Sequence, residues 1–320
     1  MELKDGLTIL IPTYNRQERL LNTLRSIFSQ GHWGEYMIVI VDNCSNYNVE
    51  DIIITEFPES FTRNIRVHRW FFNTGMSTNI SIAFEFVDTK WCWFISDDDE
   101  ILEGALNTVL KDTKRMEKIA AIKYSITDIC TYDNSIIQSV DDWASYYIAH
   151  LSGDMGYLSM LYNISILYPY LQELTIHSYS YLSFWLPVIR ALNESDAGLI
   201  MSSDVLFRYQ NNNDGWSSTY EKYLNTLLGI RTLFDFKYGL SQNTYCKFKK
   251  VFVVLFDTKS IVKRIVLLPD KHMRVHYYNL LKNYISGRVF DVCLSKVLYH
   301  IVIIFNIPPY ILKKILFRGE

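Results

Sequence analysis

Four consecutive acids, Asp97, Asp98, Asp99 and Glu100, follow directly on an apolar run in the segment WFISDDDEIL. Adjacent carboxylates repel one another and resist desolvation, so strand-forming energetics alone do not favour this junction, and it calls for a positive partner. In an extended chain alternate side chains point the same way, so Asp97 and Asp99 would converge on one ligand while Asp98 faces elsewhere, unless the chain turns there. Hard carboxylate oxygens suit Mg²⁺ or Mn²⁺, which takes one or two protein carboxylates together with substrate phosphates and inverts the local charge for an anionic nucleotide. The competing reading is an acidic first turn of a helix over Leu102 to Leu110. Asp42, which closes an apolar run before NCSN, serves equally well as an Asx-turn residue or as a ligand.

The elements that must position these acids are written in changing periodicity. Leu7 to Ile11 reads as a short buried strand ending at Pro12, and Leu20, Leu24, Ile27 and Phe28 then fall at helical spacing after Asn15-x-x-Glu18, which resembles a capping box. Met37 to Val41 is a second strand and Arg66 to Phe72 a third. After Asn73-Thr74-Gly75, the residues Ile80, Ala83, Phe84 and Val87 form a helical stripe, and Trp91 to Ile95 is the strand that delivers the acids. Strands alternating with helices predict an α/β fold with a mainly parallel, doubly wound sheet, whose ligands sit beyond the carboxyl ends of the strands. Asp42 and Asp97 to Asp99 fall at those ends. Further on, residues 119–130 read as one more strand, 141–195 as helical stretches rich in Tyr, Leu and Ser, 211–215 as a loop, and the chain from Thr219 onward as helices.

With 320 residues, 49% hydrophobic and 15% aromatic, the chain can bury a sizeable core and hold one large domain or two small ones. Its five cysteines are scattered without a C-x-x-C pair, which predicts free thiols in a reducing compartment and disfavours a zinc site. The start, MELKDGLTILIPTYN, lacks the charged opening and longer apolar run of a signal peptide, so the chain is expected to begin in the cytoplasm. The net charge of −2 conceals an asymmetry: residues 247–320 carry 14 Lys+Arg against 4 Asp+Glu, a net of +10, and the first 246 carry −12. The apolar, basic segment VLYHIVIIFNIPPYILKKILF favours an anionic membrane surface over nucleic acid. His300, Asn306 and Pro308-Pro309 make it a poor spanning helix, so it is expected to lie in the interface; a buried core helix is the plainer alternative.

In order, LTILIPTYNR, VIVDNCSN, NTGMSTNISIAFEF and WFISDDDEIL resemble the nucleotide-binding half of a family 2 glycosyltransferase with the GT-A fold, over about the first 110 residues. The resemblance implies that Pro12, Thr13 and Tyr14 line a pyrimidine pocket and that Asp42 hydrogen-bonds the base. Asn73, Gly75 and Asn79 then belong to the loop and helix beneath ribose and phosphates, and the acids form the DXD motif for ribose and Mn²⁺ or Mg²⁺. The register of that motif stays open between Asp97-x-Asp99 and one that puts Ser96 at the first acid, with Asp98 or Asp99 on the metal. Within the family the chain looks most like bacterial transferases that add sugars to O-antigen or capsule units, of the abequosyltransferase type, acting from a UDP, CDP or dTDP sugar on a lipid-linked saccharide. That implies residues 1–215 as a catalytic domain and 216–320 as a helical, basic region peripheral on the inner face of the cytoplasmic membrane.

The chain departs from the family in its acceptor region. Where inverting members carry a Glu-Asp pair, the expected helix LTIHSYSYLSFW has His177 and Ser178. His177, with an ordinary pKa near neutrality, and Asp154 are the two candidate bases, and a retaining reaction needing no such base is a third possibility. Arg208 and Trp216 flank a polar loop that could close over the donor, while Trp143, Tyr146, Tyr157 and Tyr181 are candidates for an acceptor groove or for plain core packing. A nucleotidyltransferase would want a glycine-rich loop where this chain has IPTYNR. A non-catalytic, membrane-associated scaffold with a transferase fold stays open as the second reading.

Overall fold

The run LTILI becomes the middle of β1 (Lys4–Thr13), flanked by β2 (Tyr36–Asp42) on one side and β4 (Thr89–Phe94) on the other, both parallel to it. Leu7, Ile9 and Ile11 share a core with Leu20, Leu24 and Ile27 of helix α1 (Gln17–Phe28), and Leu10, on the opposite face, is equally buried. A parallel strand covered on both faces needs a near-continuous apolar run, which is what this segment supplies. The computed structural model describes residues 3–115, 118–126, 131–150, 160–208, 220–234, 238–255, 261, 264–268 and 270–281. The chain divides into two units, residues 1–211 and 212–320; the expected boundary at 215 lies outside the described residues.

The first unit is completed by β3 (Ile65–Arg69), β6 (Ile119–Ser125), β7 (Ser135–Ile137), β8 (Met160–Asn163) and β9 (Gly198–Val205), in the order β3-β2-β1-β4-β8-β6-β9-β7. β8 is antiparallel to β4 and β6, and β7 to β9; the remaining strands run parallel, so the sheet is mainly parallel as expected. Strand order reverses about β1, with β2 and β3 to one side and β4 to the other, and this switch point opens a crevice at the carboxyl ends of β1 and β4. A separate two-stranded ribbon pairs β5 (Glu100–Ile101) with β10 (Phe207–Arg208), antiparallel.

Several local expectations are corrected. α1 does not begin with a capping box: its N-cap is Arg16, and Asn15 takes a left-handed φ of 52° and uses its side-chain oxygen to accept from Asn46 N–H. β3 stops at Arg69 because its partner strand, β2, ends at Asp42 opposite it. The acids do not open a helix: Glu100–Ile101 is a strand, and helix α5 (Ala105–Asp112) begins only after Gly104. Helices α2 (Val49–Glu56) and α3 (Glu59–Thr62) were not expected, although Asn48 caps α2 by accepting from Glu50 N–H at 3.0 Å. α4 (Met76–Ala83) carries the expected stripe, and α6 (Val140–Ala149) and α7 (Ile164–Leu167) follow. LTIHSYSYLSFW is not one helix. α8 (Gln172–Ile176) ends before His177, Ser180 N–H donates to His177 C=O, and Ser180 Oγ accepts from Leu182 N–H, the local serine bonding that competes with helix. The chain regains regular structure in α9 (Leu186–Glu194). In the second unit the described elements are helices, α10 (Tyr220–Leu233), α11 (Gln242–Leu255) and α12 (Lys271–Leu281), with Tyr277 Oη donating to Asn225 Oδ1 at 2.6 Å. Among the described residues no helix is long and apolar enough to cross a membrane; residues 297–320 lie outside them.

Candidate active site

Strand register builds the site. Thr13, the last residue of β1, pairs with Asp42 at the end of β2, which pairs in turn with Arg69 at the end of β3. On the other side Leu10 pairs with Phe94, so three residues further the chain brings Asp97 level with Thr13, whose hydroxyl donates to Asp97 Oδ2 at 2.7 Å.

At Asp97 and Asp98 the chain turns, the alternative to the alternation of an extended segment. Asp97 and Asp98, not Asp97 and Asp99, converge: Arg16 Nη1 donates to Asp97 Oδ1 at 2.9 Å and to Asp98 Oδ2 at 2.8 Å. Arg19, one turn along α1, lies 3.7 Å from Asp98 Oδ2, and Ser96 Oγ donates to Asp98 Oδ1. The backbone of the turn is tied to α1 by Thr23 Oγ1 donating to Asp99 C=O at 2.9 Å and by Ile101 N–H donating to Ser26 Oγ. A cavity of about 290 Å³, lined by residues including Arg19, Asn22, Asp98 and Asp99, opens between α1 and the turn.

The acids are electrostatically burdened. Burial pushes the Asp97 carboxyl up to about 6 against the pull of Arg16. Burial, then Asp98 and Asp97, push Asp99 up to about 8, while Lys123 and Arg16 pull it back. Two oxygens already share one cationic nitrogen, so Asp97 and Asp98 are the residues that would hold a cation. Among the described residues no group of three or more His, Cys, Asp or Glu side chains forms a complete cage. A divalent ion here would take two protein ligands and draw the rest of its shell from substrate and water, the usual mode for Mg²⁺ and Mn²⁺.

Asp42 is fully buried. Its Oδ1 accepts from Ser45 N–H at 2.9 Å, while Oδ2 has no hydrogen bond and lies 3.3 Å from Arg69 Nη1, off hydrogen-bonding geometry. Arg69 itself is held by Tyr47 C=O at 2.6 Å and Ser45 C=O at 2.5 Å. A buried carboxylate oxygen with unused acceptor capacity at the crevice is a ready partner for an N–H donor. Pro12, Thr13 and the exposed Tyr14 lie on the β1 end beside it.

The next wall is a network centred on Asn43. Its Oδ1 accepts from Thr74 N–H at 2.8 Å and Thr74 Oγ1 at 2.9 Å, and its Nδ2 donates to Asn73 Oδ1, which also accepts from Gly75 N–H. Gly75 sits at φ 83°, a conformation that favours glycine. Asn79 accepts from Trp70 Nε1–H and donates to Val41 C=O, so it pins α4 under the end of β2.

Of the remaining expected residues, Arg208 on β10 pairs with Glu100 on β5 at 2.8 Å, directly after the acid turn. His177 is largely buried, with Nε2 3.4 Å from Glu173 Oε2 and Nδ1 3.1 Å from Tyr179 Oη; its segment is joined to α4 by Ser77 Oγ donating to Ser180 C=O. Trp143 packs against Trp185 and Tyr147 in the core and is too buried to line a groove. Tyr146 Oη donates to Asp133. Asp154, Tyr157 and Trp216 lie outside the described residues.

Sequence reasoning missed Arg16, Asn43, Arg69 and the fully buried Lys123. Two of these carried a signal. Arg16 is a cation at a helix N-terminus, where the helix dipole disfavours positive charge, and such a residue demands an acidic partner. Lys123 is a lone cation in the apolar strand IAAIKYS. Arg69 becomes visible only through β2–β3 register.

Residues 8–167, half of the chain, match the family model for glycosyl transferase family 2. The abequosyltransferase RfbV of Salmonella typhimurium is 29% identical over 106 residues, 31% of this chain and 30% of that protein. The GalNAc(5)-diNAcBac-PP-undecaprenol beta-1,3-glucosyltransferase of Campylobacter jejuni is 25% identical over 109 residues, 33% of each. The chain thus spans a third or less of the length of the curated relatives it matches. The mannosyltransferase PcManGT from Pyrobaculum calidifontis, solved with GDP-Man and Mn²⁺, shares the fold at a TM-score of 0.55 and 10% identity, covering 93% of this chain and 81% of that one.

Proposed function

The chain belongs to glycosyl transferase family 2, and from that premise we propose that it moves one sugar from a nucleotide-diphosphate sugar to a lipid-linked saccharide during synthesis of a bacterial surface polysaccharide. The observation that carries this reading is the convergence of Asp42, Thr13, Asp97 and Asp98 at the carboxyl ends of β1, β2 and β4, the switch point of the sheet. The acceptor class is supported by the name of the Campylobacter relative, and the sugar-nucleotide class by the ligands of the mannosyltransferase structure.

In this reading Asp42 Oδ2 accepts an N–H of the base of a UDP, CDP or dTDP sugar, and Pro12 to Tyr14 floor the base pocket. Asn43 and Asn73 hold the 73–75 loop in the shape that borders ribose and phosphates, and Asn79 keeps α4 fixed beneath it. Asp97 and Asp98 would hold Mn²⁺ or Mg²⁺, which would supply positive charge to neutralise the leaving diphosphate. Asp99, its carboxyl pushed up to about 8 by burial and then by Asp98 and Asp97, lines the cavity beside α1. His177, whose Nε2 faces Glu173 and whose Nδ1 faces Tyr179 Oη, and Asp154 are the two candidate bases for the acceptor hydroxyl proton, and a retaining reaction needs neither. Residues 1–215 form the catalytic domain and the basic residues 216–320 dock it on the cytoplasmic face of the membrane, where a lipid-linked acceptor resides.

The test is transfer of radiolabelled sugar from a panel of UDP, CDP, dTDP and GDP sugars, with Mn²⁺, to polyprenyl-diphosphate-linked saccharides. Transfer from one donor, abolished in Asp97→Asn/Asp98→Asn, is expected. Absence of transfer and of donor hydrolysis across the panel would leave a non-catalytic role.

A further inference from the structure

Arg16 occupies the position that the donor-site reading reserves for a metal. Its Nη1 is 2.9 Å from Asp97 Oδ1 and 2.8 Å from Asp98 Oδ2, so one nitrogen bridges two adjacent carboxylates. A guanidinium and a divalent ion cannot share that gap, because both need the same two oxygens and they repel each other. The side chain is not locked in the interior: Arg16 is 34% exposed, whereas Asp97 is 5% and Asp98 21% exposed. Its backbone is fixed, with Arg16 N–H donating to Tyr47 Oη at 3.1 Å and its C=O accepting from Leu20 N–H at 2.9 Å, so any movement falls to the side chain. It also stands at the N-terminus of the 12-residue helix α1, where a cation is disfavoured and an anion is favoured.

We infer that Arg16 is an exchangeable counter-ion: it holds Asp97 and Asp98 together in the free protein, yields them to the metal, and turns its fork onto the donor diphosphate. The inference rests on the donor-site reading above and adds a positioning residue to it. Guanidinium matches diphosphate oxygens in a bidentate manner, so the hydrogen bonds that Arg16 gives up at the acids are replaced by bonds to the nucleotide. Metal and nucleotide must then bind cooperatively, since neither alone both displaces Arg16 and gives it a new partner, and the coupling is reciprocal. Arg19, 3.7 Å from Asp98, remains beside the acids in both states.

The experiment measures free Mn²⁺ by electron paramagnetic resonance, without nucleotide, on the full chain as wild type, Arg16→Ala, Arg16→Lys and Arg19→Ala. UDP, CDP, dTDP and GDP are then titrated calorimetrically in saturating Mn²⁺, with thermal melts to verify folding. Arg16→Ala should bind Mn²⁺ alone roughly 10-fold more tightly and nucleotide in Mn²⁺ roughly 10-fold more weakly, within the usual range of coupling between sites. Arg16→Lys should fall between, and Arg19→Ala should shift Mn²⁺ binding less than Arg16→Ala. A merely structural arginine would weaken both ligands together. Unchanged or weaker Mn²⁺ binding in a folded Arg16→Ala protein overturns the exchange while leaving the donor site intact. Failure of every protein to bind Mn²⁺ or nucleotide overturns the donor site as well.

Discussion

Asp99→Asn should make the free protein more stable at alkaline pH, and by an amount that the geometry bounds. The carboxyl is raised from 3.8 to about 8, first by burial and then by its neighbours Asp98 and Asp97. Between those two values the folded chain keeps a proton that the unfolded chain has released. The contribution of Asp99 to stability is therefore full below pH 3.8, declines as pH rises, and is lost once pH passes about 8. The rise from 3.8 to about 8 corresponds to at most about 6 kcal/mol, and partial solvent screening of the turn reduces the expected fall to roughly 2–4 kcal/mol. Asparagine keeps the shape and removes the titration. Asp97, raised to about 6, adds its own smaller decline as pH rises to that value in both proteins, and because its charge also acts on Asp99 the comparison is read at the acid and alkaline ends of the range. The assay is urea unfolding of both proteins from pH 4.5 to pH 9. The variant should match wild type within about 1 kcal/mol at the acid end and exceed it by roughly 2–4 kcal/mol at pH 8 to 9. A difference that does not vary with pH, or a variant less stable than wild type at pH 9, refutes the reasoning. The difference at pH 8 to 9 is the stability cost expected where acids are kept to serve a ligand.

Three other outcomes follow from particular side chains and segments. Asn79→Ala leaves Trp70 Nε1–H and Val41 C=O without their partner and should cost about 2–3 kcal/mol in chemical denaturation; a cost below about 0.5 kcal/mol would show that α4 is not held by this side chain. Asp42→Ala should weaken nucleotide binding by about 1.5–3 kcal/mol, the worth of a hydrogen bond to a charged group, in a calorimetric titration; equal affinity would remove Asp42 from the base pocket. Deleting residues 297–320 should abolish co-sedimentation with vesicles containing anionic lipid, and unchanged co-sedimentation would assign membrane docking elsewhere.

What was legible in the sequence was whatever depends on neighbours along the chain. LTILI, MIVIV and WCWFI read as strands because parallel strands buried on both faces are continuous apolar runs, and the acids could be placed at a strand end for the same reason. The shape of the acid turn was not legible, since it depends on Arg16 some eighty residues upstream and on the pairing of Glu100 with Arg208 more than a hundred downstream. The break at His177 was missed because the apolar spacing around it is helical, while the serine side chains that interrupt it act through backbone bonds the periodicity does not register. Asn43 looked like one more turn residue; its role appears only when the β2 and β3 ends are brought side by side.

The most direct measurement is calorimetric titration of the full chain with UDP, CDP, dTDP and GDP, with and without Mn²⁺, on wild type and on Asp97→Asn/Asp98→Asn. A donor site built on these two acids predicts that one nucleoside diphosphate binds in a Mn²⁺-dependent manner and that the double variant loses this binding while staying folded. Binding of no nucleotide under any condition, or Mn²⁺-dependent binding that survives in the variant, would contradict it.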